Sequence, residues 1–228
     1  MSQILPDIGP NGPRAFFPEL PLQPKARFVC LGDSITEAQP GYVSLLGAFV
    51  TAAYPERQVQ FINAGVSGNR VIDLLPRLRR DVVDRKPDWV TIMIGVNDVW
   101  HDFLPALQGV PLDEFTRSYR QVITTLREQT GARLLLITPT CIGEDRENPE
   151  NRRLAAYVQA VKDLGQESGL PVIDMNRRFW DVIAAGRAVN PEFSLTTDGV
   201  HPTLVGHMVI ATTILAALAS LARSGPTA

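Results

Sequence analysis

Five short runs of apolar residues, which do not alternate with polar ones, constrain the fold of this chain more than any other feature. Strands of this kind are buried on both faces, as in parallel sheets that are covered by helices on each side. Glycine or proline follows several of the runs, as expected where a strand ends. The predicted strands span residues 28–31, 59–62, 89–94, 134–138 and 171–174.

Between and after these runs, apolar residues recur every three or four positions, a spacing typical of helices with one buried face. Gly169 is placed to cap one of them at its C-terminus. Strands alternating with helices predict an α/β fold, a three-layer α/β/α sandwich around a five-stranded parallel sheet. The predicted helices span 42–54, 71–86, 112–129, 152–167 and 204–222, and the arginines of the second, among them Arg77 and Arg79, are expected on a solvated face.

The first 24 residues contain six of the 18 prolines and show no helical or strand-like pattern. We therefore divide the chain into a proline-rich N-terminal arm, residues 1–24, and one domain, residues 25–228. Phe16, Phe17, Leu20 and Leu22 give the arm side chains to bury, so we expect it to be ordered on the domain or on a neighbouring subunit. The arm lacks the basic start and apolar core of a signal peptide, which favours a cytoplasmic protein.

The last predicted helix, residues 204–222, is almost wholly apolar and about as long as a membrane span. A helix that is apolar all round is either an anchor or a core helix. His207, Thr212 and Thr213 favour the core helix, and His207 is then a buried, hydrogen-bonded histidine. We expect no membrane association.

Charge and cysteine content exclude several functional classes. The net charge is −2, which gives no electrostatic footprint for nucleic acid. The two cysteines, Cys30 and Cys141, lie within or beside apolar runs, so buried free thiols are favoured over a disulfide framework. No cluster of metal-ligating residues appears in the sequence, and we expect no metal.

Polar motifs follow the first three predicted strands and also precede the last helix. In open α/β sheets, ligands bind at the carboxyl ends of the strands, so these motifs should meet at one rim. The motifs are Gly32-Asp33-Ser34, Ser67-Gly68-Asn69, Gly95-Val96-Asn97-Asp98 and, before the last helix, Asp198-Gly199-Val200-His201-Pro202.

Three residues of these motifs could form a catalytic triad. A serine nucleophile needs a base to take its proton, and the base needs an acceptor that fixes its tautomer. Ser34, His201 and Asp198 are the candidates for these roles. Each also has a plainer interpretation, with Ser34 as a helix N-cap, Asp198-Gly199 as a turn and His201 as a surface histidine.

The four motifs, in this order, resemble those of the SGNH, or GDSL, hydrolases, with Ile35 where the older family name has leucine. Further stretches resemble the bacterial acetylxylan esterases of this superfamily: Gly41-Tyr42-Val43, Pro87-Asp88-Trp89-Val90, Ile92-Met93-Ile94-Gly95, Asn97-Asp98-Val99-Trp100 and Val205-Gly206-His207-Met208. The resemblance implies a flavodoxin-like sheet and a serine esterase without a cofactor. Its substrate would be a small-molecule or oligosaccharide ester, and such enzymes are often homo-oligomers.

By the same resemblance, the oxyanion hole consists of the backbone N–H groups of Ser34 and Gly68 and the side-chain amide of Asn97. Asp33, Trp100 and His101 are weaker candidates for substrate contacts, since Trp100 could equally serve only in packing. Acetyl esters of xylo-oligosaccharides or related sugars are the expected substrates.

Other functions remain open at this point. A short-chain lipid esterase or lysophospholipase-like enzyme would use the same triad on another acyl group. A flavodoxin-like protein that binds a nucleotide or flavin is disfavoured, because the loop after the first strand lacks the lysine of a phosphate-binding loop. A carbohydrate-binding relative without activity is disfavoured by the complete triad, and no Gly-x-Ser-x-Gly elbow of an α/β-hydrolase occurs.

Overall fold

A computed structural model of the chain describes residues 12–17 and 19–223. Its sheet has the strand order β2-β1-β3-β4-β5, and all neighbouring strands pair in parallel. The strands are β1 (Arg27–Gly32), β2 (Gln60–Gly65), β3 (Trp89–Met93), β4 (Arg133–Ile137) and β5 (Val172–Ile173). The five-stranded parallel sheet predicted from the sequence is confirmed.

Helices lie on both faces of the sheet, as predicted. Helices α2 and α8 pack against each other, and α7 packs on α8, whereas α5 and α6 pack together on the other face. The α-helices are α1 (Ser34–Glu37), α2 (Tyr42–Ala53), α3 (Leu78–Asp81), α4 (Val96–Trp100), α5 (Leu112–Gln129), α6 (Pro149–Ser168), α7 (Met175–Arg187) and α8 (Leu204–Arg223).

The apolar runs fill the core because the sheet is covered on both faces. Phe28 to Leu31 of β1 and all of β3 are buried, whereas β2, at the edge, is mostly half-buried. Because the edge strand is only half-buried, it can include a polar residue, and β2 continues beyond the predicted end at residue 62. Asn63 extends the pairing with β1, and its side-chain amide donates to the backbone carbonyl of Thr36 at 2.6 Å.

The continuous helix predicted over residues 71–86 is wrong. The segment consists of short turns: Val71–Asp73, Leu75–Arg77, α3 and Val83–Arg85. Pro76 lies in its middle, and proline lacks the N–H that a continuous helix needs there. The apolar spacing reflects one buried face, but not one uninterrupted helix.

Helix α7 was missed in the sequence. Its N-cap is Asp174, whose carboxylate accepts a hydrogen bond from the backbone N–H of Arg177 at 3.1 Å. Met175, Phe179 and Ile183 recur at a spacing of four and are buried, so an amphipathic pattern was available. Helix α6 also begins earlier than predicted, because Asn148 caps it and Pro149 occupies its first turn.

The described part of the N-terminal segment packs against α2 and the turn that follows it. Leu20 and Leu22 are buried in the core, and the ring of Phe17 lies edge-on to Phe49 at 5.2 Å. The guanidinium of Arg57 donates to the backbone carbonyls of Leu20 and Leu22 at 2.8 and 3.1 Å. Phe16, by contrast, is exposed. The prediction for residues 1–11 lies outside the described residues.

Helix α8 is long and apolar enough to cross a membrane, judged by length and composition alone. Within the fold, it packs on α2, α7 and β5, and 44% of its most apolar 18-residue window is buried. His207 is buried, and its Nδ1 accepts the backbone N–H of Tyr42 at 3.3 Å. His207 is therefore a buried, hydrogen-bonded histidine, as predicted.

The packing of the N-terminal segment predicts a measurable contribution to stability. Leu22 is 2% exposed and Phe16 is 75% exposed. Leu22→Ala should lower the free energy of unfolding by about 2–4 kcal/mol, because it leaves a cavity in the core. Phe16→Ala is the matched control and should change stability by less than about 0.5 kcal/mol. Equal effects of the two substitutions in urea denaturation would contradict this packing.

Candidate active site

The loops that follow β1, β2 and β3 meet at the carboxyl edge of the sheet. Gly32 of β1 is in register with Gly65 of β2 and with Met93 of β3, so the three strands end at the same level. A side chain at position 32 would meet the backbone oxygen of Met93 at 2.6 Å. Glycine is therefore needed where β1 passes into the turn that holds Ser34.

Asp33 forms the turn that presents Ser34. Its carboxylate accepts the backbone N–H of Ile35 at 3.0 Å and so caps α1, in which Ser34 is the first residue. Asp33 is buried, and burial raises its pKa to about 6, although the Ile35 N–H and the charge of His201 act in the opposite direction. This placement gives no support to Asp33 as a substrate contact.

Ser34, His201 and Asp198 form a chain of hydrogen bonds between residues far apart in the sequence. Ser34 Oγ lies 3.0 Å from His201 Nε2, across 167 positions of sequence. His201 Nδ1 lies 2.6 Å from Asp198 Oδ2. When Nδ1 carries the ring proton and donates a hydrogen bond to Asp198, Nε2 is free to accept the hydroxyl proton of Ser34.

The Asp198 carboxylate is held by its own loop. Oδ1 accepts the backbone N–H groups of Val200 and His201 at 3.0 and 2.8 Å. Partial burial alone would raise the pKa of Asp198. The hydrogen bonds from His201 and Val200 outweigh it and hold the pKa below its usual value. Asp198 is therefore charged at neutral pH and can stabilise an imidazolium.

Asn97, in α4, and Gly68, in the loop after β2, are the other two residues predicted for the oxyanion hole. The Asn97 amide Nδ2 donates one hydrogen to the backbone carbonyl of Asn69 at 2.9 Å, which fixes the amide and leaves its second hydrogen. Gly68 is exposed, with φ +75°, a conformation that favours glycine. No atom lies within 4 Å of the position a Cβ would take there, so the space beside its backbone is open.

Arg77 lies beneath these loops, which contradicts its predicted place on a solvated face. It is 8% exposed, and its guanidinium donates to the backbone carbonyls of Gly32 and Ala64, both at 2.8 Å. Its Nε donates to Asn69 Oδ1 at 2.7 Å, and Asp81 is its ion-pair partner at 3.1 Å. Arg77 therefore joins the ends of β1 and β2 to the loop that orients Asn97.

Asp98 is a second buried group that the sequence did not identify as structural. Both oxygens accept the backbone N–H of Val71, at 3.0 and 3.2 Å, and its backbone carbonyl accepts the N–H of Val110 at 2.9 Å. Burial raises the pKa of Asp98 to about 8. The Val71 N–H lowers it, and the nearby charge of Asp33 raises it further. Asp98, next to Asn97, thus anchors two segments, one through its carboxyl group and one through its backbone carbonyl.

Trp100 and His101 differ in their relation to the site. The Trp100 ring lies edge-on to the His201 ring, with centroids 5.9 Å apart. His101 is buried, and burial, followed by the charge of Arg70, lowers its pKa. The structure thus places Trp100 beside His201 and buries His101, which gives no support to His101 as a sugar contact. In the described residues, no group of three or more metal-ligating side chains occurs.

Comparison with known proteins places the chain in a family. Residues 30–209 match the GDSL-like lipase/acylhydrolase family. The chain is 34% identical over 206 residues to an acetylxylan esterase of Geobacillus stearothermophilus, covering 83% of this chain and 92% of that protein. It is 28% identical to an isoamyl acetate-hydrolyzing esterase 1 homolog of Rattus norvegicus, covering 79% of this chain and 76% of that protein.

Solved structures agree with this assignment. The crystal structure of the Geobacillus stearothermophilus acetylxylan esterase superposes with a TM-score of 0.77 at 32% identity, over 86% of this chain and 95% of that one. An α/β hydrolase enzyme from the metagenome of Lake Arreo, Spain, gives a TM-score of 0.77 at 31% identity, over 87% and 97%. The fold and the relatives define a carboxylic ester hydrolase. The chain belongs to the GDSL-like lipase/acylhydrolase family, as the sequence resemblance predicted.

The raised pKa of Asp98 predicts how stability depends on pH. The folded chain holds this proton more tightly than the unfolded chain, in which an aspartate has a pKa near 4. The stability it contributes is therefore complete below about pH 4 and is lost as the pH rises through about 8. The slope from this one group is at most about 1.4 kcal/mol per pH unit.

Asp98→Asn removes this titration but keeps an oxygen acceptor for Val71. In urea denaturation between pH 5 and 8, the wild type should lose more stability than Asp98→Asn. Asp163→Asn, which alters an exposed carboxylate on α6, is the control and should follow the wild type. The same slope in Asp98→Asn and in the wild type would contradict a protonated Asp98.

Proposed function

We propose that the protein hydrolyses acetyl esters, with O-acetyl groups on xylo-oligosaccharides or related sugars as substrates, through an acetyl-enzyme formed on Ser34. The observation that carries this proposal is the hydrogen-bonded chain from Ser34 through His201 to Asp198, with distances of 3.0 and 2.6 Å. Variants of the Geobacillus stearothermophilus esterase in which a serine, an aspartate or a histidine is replaced are described as catalytic mutants. The aspartate and histidine of that enzyme are three positions apart, as Asp198 and His201 are here.

In the first half of the reaction, Ser34 Oγ attacks the ester carbonyl carbon, and its proton passes to His201 Nε2. Asp198 stabilises the imidazolium that forms. The carbonyl oxygen becomes an oxyanion, for which the Ser34 and Gly68 N–H groups and Asn97 Nδ2 are the donors, each worth about 3 kcal/mol in related chemistry. The C–O bond to the sugar then breaks, and the leaving alkoxide takes the proton from Nε2.

The second half repeats the chemistry with water. His201 takes a proton from a water molecule, whose oxygen attacks the acetyl carbon on Ser34. The tetrahedral intermediate collapses, Ser34 Oγ leaves with the proton from Nε2, and acetate is released. The ester, one water molecule and the residues named here balance both halves of the reaction.

Two observations support the acetyl group as the acyl part. Both named relatives act on acetates according to their names, although the alcohols differ. In this chain, Trp100 lies beside the His201 ring. The loop that follows Trp100 is held in place by a hydrogen bond and an ion pair. Asp102 accepts the Gly109 N–H at 2.7 Å and pairs with Arg153 at 2.6 Å, so the loop cannot easily withdraw from the site.

An acetate of a small alkyl alcohol is the second candidate substrate, favoured by the relative named for isoamyl acetate. Rates of acetate release from acetylated xylo-oligosaccharides and from isoamyl acetate, measured side by side, distinguish the two. A higher kcat/KM for the sugar ester supports the first candidate, and a higher value for isoamyl acetate replaces it with the second.

Ser34→Ala should fold like the wild type and lose ester hydrolysis by about five orders of magnitude, because triad members act as a unit. Ser44→Ala, which removes an exposed hydroxyl at the start of α2, is the control and should stay active. Hydrolysis of p-nitrophenyl acetate and circular dichroism measure the two properties. Turnover within tenfold of the wild type in pure Ser34→Ala would reject Ser34 as the nucleophile.

A series of acyl lengths tests whether Trp100, beside His201, limits the space for the acyl group. On p-nitrophenyl esters, kcat/KM should be highest for acetyl and fall at least tenfold by butyryl, because each misplaced methylene costs about 1–3 kcal/mol. Trp100→Ala should narrow this difference, and Phe103→Ala, on the exposed part of the same loop, should not. If the wild type hydrolyses octanoyl esters faster than acetyl esters, a lipid-directed esterase takes the place of this proposal.

A further inference from the structure

The segment that precedes Asp198 is held by a glutamate from a different loop. Residues 193–197 form no helix or strand apart from a single bridge between Thr196 and Pro202. Glu144, in the loop after β4, reaches into this segment with a side chain that is 6% exposed. A carboxylate buried this far needs several donors to replace water.

Four donors converge on one oxygen of Glu144. Oε1 accepts the backbone N–H groups of Leu195 at 2.7 Å and of Thr196 at 2.8 Å. It also accepts the hydroxyl groups of Thr196 at 2.8 Å and of Ser194 at 2.9 Å. Three consecutive residues, ending two positions before Asp198, are thus tied to a single atom.

Arg187 of α7 balances the negative charge of Glu144 and adds hydrogen bonds to the two segments that Glu144 joins. Its Nη2 lies 2.8 Å from Glu144 Oε2, and its Nη1 donates to the backbone carbonyl of Glu144 at 2.7 Å. Its Nε donates to the backbone carbonyl of Phe193 at 3.2 Å. One guanidinium therefore joins the loop after β4, the start of the 193–197 segment and α7.

The loop that carries Glu144 is itself fixed and touches the proposed catalytic turn directly. The buried amide of Asn151 in α6 donates to the backbone carbonyls of Ile142 and Asp145, both at 2.7 Å. The Gly143 N–H donates to the Gly199 carbonyl at 2.6 Å. A side chain at Gly199, which has φ +92°, would come within 3.2 Å of Gly143 Cα.

We propose that Glu144, ion-paired with Arg187, is a positioning residue that sets the placement of Asp198 and His201 relative to Ser34. The inference rests on the proposed function, in which these three residues form the triad. Glu144 touches none of them with its side chain. It acts through the backbone of residues 194–196, so its loss should displace the loop that carries His201 while leaving the Asp198–His201 pair intact within that loop.

The test uses three substitutions in the full chain. Glu144→Ala removes both carboxylate oxygens, Glu144→Gln keeps one side-chain oxygen but loses the ion pair, and Glu147→Ala removes a carboxylate that is 75% exposed in the same loop. With p-nitrophenyl acetate, Glu144→Ala should lower kcat about 100-fold, as a misplacement of about 1 Å does. KM should change less than about threefold, Glu144→Gln should recover part of the loss, and Glu147→Ala should match the wild type.

A double-mutant cycle separates positioning from general loss of structure. In a His201→Ala background, Glu144→Ala should have no further effect on the residual rate, because its action passes through His201. The proposal is overturned if Glu144→Ala keeps kcat within threefold of the wild type. It is equally overturned if the substitution lowers the residual rate of His201→Ala by the same factor as it lowers the wild-type rate.

Proton NMR tests whether Glu144 fixes the loop that carries His201, and it does so without an activity measurement. The His201 Nδ1–H that faces Asp198 should give a low-field resonance in the wild type and in Glu147→Ala. In Glu144→Ala this resonance should persist, because the Asp198–His201 pair stays intact, whereas the backbone amide resonances of residues 197–201 should shift and broaden as the loop loses its fixed place. Unchanged amide resonances would overturn the proposal. If the wild type hydrolyses no ester, the proposed function fails, and the NMR result still decides whether Glu144 fixes the loop.

Discussion

The site depends on the burial of β1 between two neighbouring strands. Because β2 and β3 pair in parallel with β1 and end at the level of Gly32, the loops that follow the three strands start side by side at one edge of the sheet. The apolar side chains that fill both faces of the sheet fix this register, since a shift of one residue would exchange the two faces. The common level at which the segments carrying Ser34, Gly68 and Asn97 begin is thus a consequence of core packing.

Buried side chains of ionisable residues then fix the conformation of the loops. Arg77 satisfies backbone carbonyls at the ends of β1 and β2, Asp98 anchors the start of the 71–85 segment, and Glu144 gathers the segment before Asp198. Each of these groups lies under or beside a loop that lacks regular hydrogen bonding of its own. Loops of this kind need acceptors and donors from side chains, because unpaired buried backbone groups are costly.

The fold and the three hydrogen-bonded residues of the candidate site could be predicted from the sequence because both leave local signals. Apolar runs mark strands such as β3, and Ser34, Asp198 and His201 lie in short motifs at strand ends or before a helix. The supporting residues leave no such signal. Arg77 resembles its exposed neighbour Arg79 in the sequence, and its buried partners, the backbone carbonyls of Gly32 and Ala64, lie far from it along the chain. Glu144 is one acidic residue in a charged loop, and its partners lie about 50 positions later.

Placing Asp198 and His201 three residues apart on one turn has a mechanical consequence. The Asp198 carboxylate binds the imidazole and two backbone N–H groups of its own turn, so the aspartate–histidine pair behaves as a small rigid body. Its internal geometry does not depend on the sheet. The motion that costs least is a displacement of the aspartate–histidine pair as a whole. It changes the Ser34–His201 separation and leaves the histidine tautomer unchanged. Thermal motion or a distant substitution should therefore affect the site mainly by changing the Ser34–His201 separation.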